Sequence, residues 1–349
     1  MFAVPGDYTS ELLQIIDDDS TLHRIAACNE LNAAYAADGY ARYNGLAALS
    51  VTSGVGALSA LNGIAGSWTE MHPVVVIVGT LSTTSALEES AAGRLFHHQL
   101  QLRDTDVGVY RYVTIHQESV TDPAVAPEQI DAAITAALTW HRPVLIQIAE
   151  DCYRLPCRAP EGSLTAAPRY TDLATLRSLA PENKHAHQIV SAVDGVVDAI
   201  ASRWATAQKP MFWLGHELAI YGLQGQAKRL LEGTGAPFVT SLLGKSVLGE
   251  QTSGFLGVHE GVFTPASTQG YVDESDLLLA LGVWNTDINM LGDTRAEVMN
   301  QSGGEFLARA GIAANQHRGL AAGQFADHRF ALLDGRRVTG QAIKSRIRG

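Results

Sequence analysis

The chain has 349 residues, 46% of them hydrophobic and 17% charged, which is enough material for two domains of ordinary size with their own cores. Its net charge of −11 argues against a surface built for nucleic acid or anionic lipid, although it leaves room for a local basic pocket. No apolar run approaches a membrane span, and the start, MFAVPGD, lacks the basic and long apolar segments of a signal peptide. Cys28, Cys152 and Cys157 make neither a disulfide framework nor a zinc set, so a reducing, cytoplasmic setting is expected.

Read in order, the first part alternates short apolar runs with helical patterns. Strands are expected at Phe2–Pro5, Arg24–Ala27, Ala47–Thr52, Val74–Gly79, Tyr112–Ile115 and Val144–Ala149. Several are unbroken Val/Ile/Leu runs, which suit strands covered on both faces of a parallel sheet. Helices are expected between them at 29–43, 56–69 and 127–139. Residues 156–185, punctuated by Pro156, Pro160, Pro168 and Pro181, read as a linker between a first domain, 1–155, and a second, 186–349. In the second domain a helix at 187–206 precedes a strand at Pro210–Leu214, and a helix at 222–232 precedes Phe238–Thr240. Further strands are expected at Asp276–Gly282 and near Glu305–Arg309. The βα alternation in both halves predicts α/β architecture: two open, mainly parallel sheets.

Chemistry-bearing residues sit just after the early strands. Ala3-Val4-Pro5-Gly6-Asp7-Tyr8 runs a strand end into a Pro-Gly turn with an acid at its lip. Asp7 there would also serve as a cap before Thr9-Ser10-Glu11. Asn29-Glu30-Leu31 opens an alanine-rich helix that can pack closely on a neighbour or a flat ligand. Glu30 in its first turn is favoured by the helix dipole whether or not it has a further role. Thr52-Ser53-Gly54-Val55-Gly56-Ala57-Leu58-Ser59 joins a strand to a helix as a dinucleotide fingerprint does. The third glycine is replaced by Ser59, however, and the next strand runs into Thr80-Leu81-Ser82 with no ribose-binding acid, so a dinucleotide site is rejected. His97-His98 is a histidine pair of the kind that is usually an exposed loop feature, yet histidine also titrates near neutral pH and suits proton transfer. Gly244-Lys245-Ser246 lacks the first glycine of a phosphate loop, and His216-Glu217 lacks a second histidine four residues on, so neither supports a nucleotide or metal site.

Taken together, these four segments resemble the thiamine-diphosphate-dependent 2-oxo acid decarboxylases, the family of pyruvate and indolepyruvate decarboxylases, strongly to about residue 150 and more loosely beyond it. The resemblance implies a pyrimidine-binding domain of the thiamine-diphosphate fold followed by a Rossmann-like middle domain. It implies that Glu30 hydrogen-bonds the pyrimidine ring nitrogen of thiamine diphosphate and drives cofactor activation, and that Thr52 and Val55 contact the cofactor. Asp7, His97 and His98 would form the proton relay around a small 2-oxo acid substrate. Two features depart from the family. Gln99-Leu100-Gln101-Leu102-Arg103 follows the histidines where a small polar residue and glycines are usual, which bears on substrate choice. The Gly-Asp-Gly and asparagine that hold Mg2+ and the diphosphate in the third family domain have no counterpart; Gly292-Asp293-Thr294 has the wrong third residue.

The resemblance therefore leads to the expectation of a subunit or fragment that supplies half a cofactor site. Mg2+ and diphosphate ligands are expected outside this chain, from a homo-oligomeric copy or a separate diphosphate-domain subunit. A non-catalytic interaction or regulatory remnant is the alternative. An acetolactate-synthase-like carboligase is a third reading; it would need a flavin-type middle domain, and the histidine pair speaks against it.

Overall fold

The computed structural model describes residues 1–94, 97–98, 105–159, 177, 181, 184–284, 286–290, 296–298 and 331–334. The chain divides into two compact units, Met1–Pro168 and Arg169–Gly349.

The first unit is a six-stranded, wholly parallel sheet in the order β2-β1-β3-β4-β6-β5. Its strands are β1 (Phe2–Ala3), β2 (Ile25–Ala26), β3 (Ala47–Thr52), β4 (Val74–Thr80), β5 (His116–Val120) and β6 (Val144–Ala149). Helices α1 (Ser10–Asp17), α2 (Glu30–Asn44), α3 (Val55–Glu70), α4 (Thr83–Ala91), α5 (Thr105–Tyr110) and α6 (Ala126–Trp140) connect them. Because β4 is covered on both faces, its alternate residues serve two cores. Val74, Val76 and Val78 pack with Ala33, Ala34, Ala37 and Ile64 of α2 and α3, while Val75 packs with Ala133 and Ala137 of α6. The alanines of α2 are what let α3 approach: a Cβ on Gly63 would stand 2.6 Å from the Cβ of Ala34. Asp38 of α2 accepts hydrogen bonds from Ser67 Oγ and from His72 Nδ1, both at 2.8 Å. Burial pushes the Asp38 carboxyl up, but these partners and the charge of Arg42 hold it below the ordinary value.

One expected strand is corrected. Tyr112–Ile115 is not β5; the strand begins at His116. It lies at the sheet edge and, among the described residues, pairs with β6 alone, so its sequence, HQESV, needs no continuous apolar run. Val113 and Ile115 instead pack on the cores as the chain approaches the strand.

The second unit has the strand order β11-β12-β10-β7-β8-β9. Strands β7 (Pro210–Leu214), β8 (Phe238–Thr240), β9 (Phe255–Val258) and β10 (Leu277–Leu281) are parallel. β12 (Ala331–Asp334) runs antiparallel to β10 and to β11 (Ala296–Val298). Ile200 and Trp204 of α7 (Lys184–Thr206), Leu218 of the short α8 (Glu217–Ile220) and Leu231 of α9 (Gln224–Thr234) cover one face, with Phe212, Leu214 and Leu279 beneath them. Val272 of α10 (Ala266–Glu274) covers Trp213, Val239 and Leu278 on the other. The helix expected at 222–232 starts two residues later, because Gly222 takes a left-handed conformation (φ 65°) before it. β9 has no counterpart among the expected strands: it is four residues long and only partly buried along its length. The strand expected near Glu305–Arg309, most of the 156–185 linker, and Gly292-Asp293-Thr294 lie outside the described residues.

Both sheets are thus open and mainly parallel. Among the described residues, no helix is long and apolar enough to cross a membrane.

Candidate active site

In the first sheet the chain leaves β1 toward β2 on one side and then crosses back to β3 on the other. The C-terminal ends of β1 and β3 therefore flank the switch point at which open α/β sheets bind ligands. Gly6 and Asp7 follow β1, Glu30 follows β2, Thr52 ends β3, and Val55 opens the helix after it, so four expected site positions, Asp7, Glu30, Thr52 and Val55, lie along one edge.

At the centre is Thr52, 8% exposed, whose Oγ1 has no hydrogen-bond partner among the described residues. A buried hydroxyl without a partner is costly and marks a place where a polar ligand atom would be welcome. The glycines on either side let Thr52 pack closely between them. A Cβ on Gly6 would stand 2.6 Å from Thr52 Cβ. One on Gly56 would stand 2.8 Å from Thr52 Cγ2 and 3.4 Å from Glu30 Oε1. Glu30 and Thr52 thus both close on Gly56. Glu30 does not cap its helix: the side chain of Asn29 accepts from the Asn32 N–H at 2.9 Å and takes that role. Val55, 51% exposed, stands at the lip as the first residue of α3.

The second cluster is more open. Asp7 begins a 3₁₀ turn, Asp7–Thr9, whose cap position is Gly6, so it is not the cap that its sequence context suggests. Its carboxylate, 75% exposed, meets His97 Nε2 at 3.2 Å, and the His97 side chain is 57% exposed. The rings of His97 and His98 meet edge to face with centroids 4.9 Å apart. His98 adopts φ 69°, the left-handed region that a histidine enters at some cost and that is concentrated at functional sites.

Several supporting residues lie outside the motifs of the sequence. Tyr8, buried, lays its ring beside His97 (centroids 5.8 Å apart) and donates its hydroxyl to the His97 carbonyl at 3.4 Å. Tyr153 in turn donates to the Tyr8 carbonyl at 2.8 Å. Burial, followed by the charges of Glu150, Cys152 and Glu11, pushes the Tyr153 hydroxyl far above its ordinary value, so it stays a donor. Gly79 makes room for this strut, since a Cβ there would lie 2.2 Å from the Tyr8 carbonyl oxygen. Asp151 accepts from Thr83 N–H and Oγ1 (2.6 Å to the hydroxyl), fixing the start of α4. Asp106 accepts from Ser53 Oγ and Gly54 N–H at the turn into α3. No local sequence signal marks these residues, because each acts on a segment more than fifty positions away.

The second sheet has its own switch point, between β7 and β10. There the chain fills the crevice itself. His216 and Glu217 follow β7 and are buried. Trp284, after β10, donates Nε1–H to Glu217 Oε1 at 2.8 Å and stacks edge to face on His216, centroids 4.4 Å apart. The backbones touch: a Cβ on Gly215 would stand 1.9 Å from the Gly282 carbonyl oxygen. Gly244 of the phosphate-loop decoy packs 2.6 Å from the Leu214 carbonyl oxygen by the same measure. Among the described residues, no group of three or more His, Cys, Asp or Glu side chains could hold a metal ion. The three cysteines are free thiols.

The first unit is therefore an open α/β domain of the class that receives ligands at the carboxyl edge of a parallel sheet, with an acid, a hydroxyl and histidines there. Comparison with known proteins makes the class specific. Residues 1–106 match the thiamine pyrophosphate enzyme N-terminal TPP binding domain, and residues 197–306 match the thiamine pyrophosphate enzyme central domain. A probable pyruvate decarboxylase of Schizosaccharomyces pombe is 31% identical over 294 residues, covering 83% of this chain and 48% of that protein. An alpha-keto-acid decarboxylase of Mycobacterium avium is 34% identical over 292 residues (82% and 47%). An indole-3-pyruvate decarboxylase of Azospirillum brasilense is 31% identical over 290 residues (83% and 49%). The chain belongs to the thiamine-diphosphate-dependent enzyme family and is similar to its 2-oxo acid decarboxylases. It spans about half the length of the curated relatives it matches.

Proposed function

We propose that this chain supplies the aminopyrimidine side of a thiamine-diphosphate-dependent, non-oxidative 2-oxo acid decarboxylase. The observation that carries the reading is the meeting of Glu30 and Thr52 at Gly56 on the carboxyl edge of the sheet, with the buried Thr52 hydroxyl unpartnered among the described residues and Val55 exposed beside them. Glu30 would hydrogen-bond the pyrimidine ring nitrogen through a carboxyl oxygen and hold the proton exchanged there. Thr52 Oγ1 would accept or donate one further polar contact, and Val55 would pack against the ring system. Bound thiamine diphosphate supplies the electron sink that lets carbon dioxide leave a 2-oxo acid. On the other side, Asp7 and His97 share a contact that can hold a proton, and His98 lies against His97, so the three can relay protons to and from a substrate. The diphosphate and Mg2+ would be held by residues outside the present sequence, on the same or another polypeptide.

The test is Glu30→Gln in the protein assembled with its diphosphate-binding half. Exchange of the cofactor C2 proton in deuterated buffer should slow by at least about a hundredfold, the lower scale for a positioned acid–base group. An unchanged exchange rate, with only about 1 kcal/mol of stability moved, would leave Glu30 as a helix-start residue and overturn the reading.

The carboligase reading needs a flavin in the second unit. The crevice where a dinucleotide would lie is occupied by His216, Glu217 and Trp284, which counts against it. The partner in this proposal is a second copy of this chain or a separate diphosphate-domain subunit. Tyr35, Tyr40 and Tyr43 of α2 are exposed and offer an aromatic face for it. Sedimentation at micromolar concentration should show a dimer or larger species; a monodisperse monomer would count against assembly through this chain alone.

A further inference from the structure

We infer that Asp106 is the positioning residue that presents Val55 to the cofactor. The role given to Val55 rests on the function proposed above. Asp106 is 3% exposed and lies in the first turn of α5, which begins seven residues after His98. Its carboxylate reaches the β3–α3 turn. There Oδ2 accepts from Ser53 Oγ at 2.6 Å, and the Gly54 N–H bonds both oxygens at 3.0 and 3.2 Å.

Gly54 needs this support. Its backbone (φ 72°, ψ −113°) is a conformation that only glycine adopts readily, and at the head of α3 its N–H has no helical partner. A carboxylate is an acceptor at every lone pair, so it alone among side chains of this size can receive Ser53 and Gly54 together without opposing a donor to either. One helical turn further along α5, the Tyr110 hydroxyl donates to the Ala57 carbonyl at 2.7 Å. Residues 106 and 110 share a face of α5. The helix is therefore fastened to the first turn of α3 at two points, one on each side of Val55. With that turn fixed, Val55 stands exposed at the carboxyl edge of the sheet; with it loose, the valine has no defined place.

The first readout is amide hydrogen exchange on the full chain without cofactor. In Asp106→Asn and Asp106→Ala, exchange at Gly54 and Val55 should rise at least about tenfold, the scale of a lost charge-assisted hydrogen bond. Amides of β4 and α6 should hardly change. Ser53→Ala, which leaves the Gly54 N–H on the carboxylate, should give a smaller rise at the same two amides, and it carries the test if an Asp106 variant does not fold. The second readout is kinetic, in the protein assembled with its diphosphate-binding half: Asp106→Asn should raise the KM for thiamine diphosphate at least about tenfold while kcat changes far less. Unmoved exchange at Gly54 in Asp106→Ala and in Ser53→Ala overturns the inference, as does a fall in kcat with the cofactor KM unmoved. Val55→Ala separates this from the proposed function. A raised cofactor KM in both Val55→Ala and Asp106→Asn supports the two together. An unmoved KM in Val55→Ala beside raised Gly54 exchange in Asp106→Asn overturns Val55 as the cofactor contact and leaves Asp106 as the residue that fixes the turn.

Discussion

The two sheets of this protein reach the same topological situation and resolve it in opposite ways. In each, the chain reverses direction across the sheet, between β1 and β3 in the first unit and between β7 and β10 in the second, and leaves strand ends facing a potential crevice. At the first edge side chains gather instead: Thr52 packs on Gly6 and Gly56, its hydroxyl has no partner among the described residues, Glu30 reaches Gly56, and Val55 and His97 stand exposed. At the second edge the chain closes on itself. Gly215 and Gly282 bring two backbones into contact, and Trp284 seals Glu217 beneath it. Topology creates the opportunity for a site; the first few residues after each strand decide whether it is used. Glycine serves both outcomes, since the missing Cβ admits either a side chain, Thr52 at the first edge, or another stretch of backbone, as at the second.

Three substitutions would break or sharpen this contrast. The largest effect is expected from Gly215→Ala. Its new Cβ would fall 1.9 Å from a backbone oxygen, which cannot swing aside, so the second unit should lose about 3 kcal/mol or more, at the upper end of overpacking costs. Urea unfolding would measure it, and a variant as stable as the parent would mean that the edge is not closed. Next is Trp284→Phe, which keeps an aromatic ring beside His216 but removes the donor to the buried Glu217. A buried carboxylate short of one hydrogen bond should cost about 1–3 kcal/mol. A change within experimental error would show that the tryptophan merely lies over the carboxylate. The smallest effect on folding is expected from Gly56→Ala at the first edge. Its Cβ would meet Thr52 Cγ2 at 2.8 Å and Glu30 Oε1 at 3.4 Å, side-chain atoms rather than backbone, and alanine is the better helix former. Stability should therefore fall by only about 1 kcal/mol, the low end of overpacking costs, while cofactor affinity falls at least about tenfold as Thr52 and Glu30 are displaced. Unfolding and cofactor titration on the same variant separate the two quantities. If Gly56→Ala destabilises as severely as Gly215→Ala, the side chains at the first edge are as fixed as the backbones at the second.

Strands that carry their own signal are legible in the order of residues alone. Ala47–Thr52, Val144–Ala149, Pro210–Leu214 and Phe238–Thr240 occur where the apolar runs place them, because a strand buried on both faces must be apolar at nearly every position. β5 and β9 obey no such rule. One lies at an edge with a single partner and a polar sequence, and the other is short, partly buried and contains Gly257 at φ 125°. The candidate site shows the same division. Asp7, Glu30, Thr52, Val55 and the histidine pair stand out as motifs because each lies in or beside a turn whose residue types are locally unusual. Asp106, Tyr8, Tyr153 and Asp151 do not, since an aspartate early in a helix or a tyrosine after a strand is common and its partner is remote in sequence.

By itself, then, the sequence determined that this is a two-part α/β chain of the thiamine-diphosphate enzyme kind, and which residue types wait at the ends of its early strands. Periodicity and local turn chemistry act over a few residues, and those are written in order along the chain. Only the tertiary structure decided that Glu30 and Thr52 meet at Gly56, that Asp7 reaches His97 across ninety positions, and that Asp106 fastens the turn before Val55. It alone decided that the second sheet's crevice is filled. Such facts depend on which strand ends become neighbours and on whether a missing Cβ faces a side chain or backbone. Both are fixed only when the parallel crossovers bring distant segments to the same edge of a sheet.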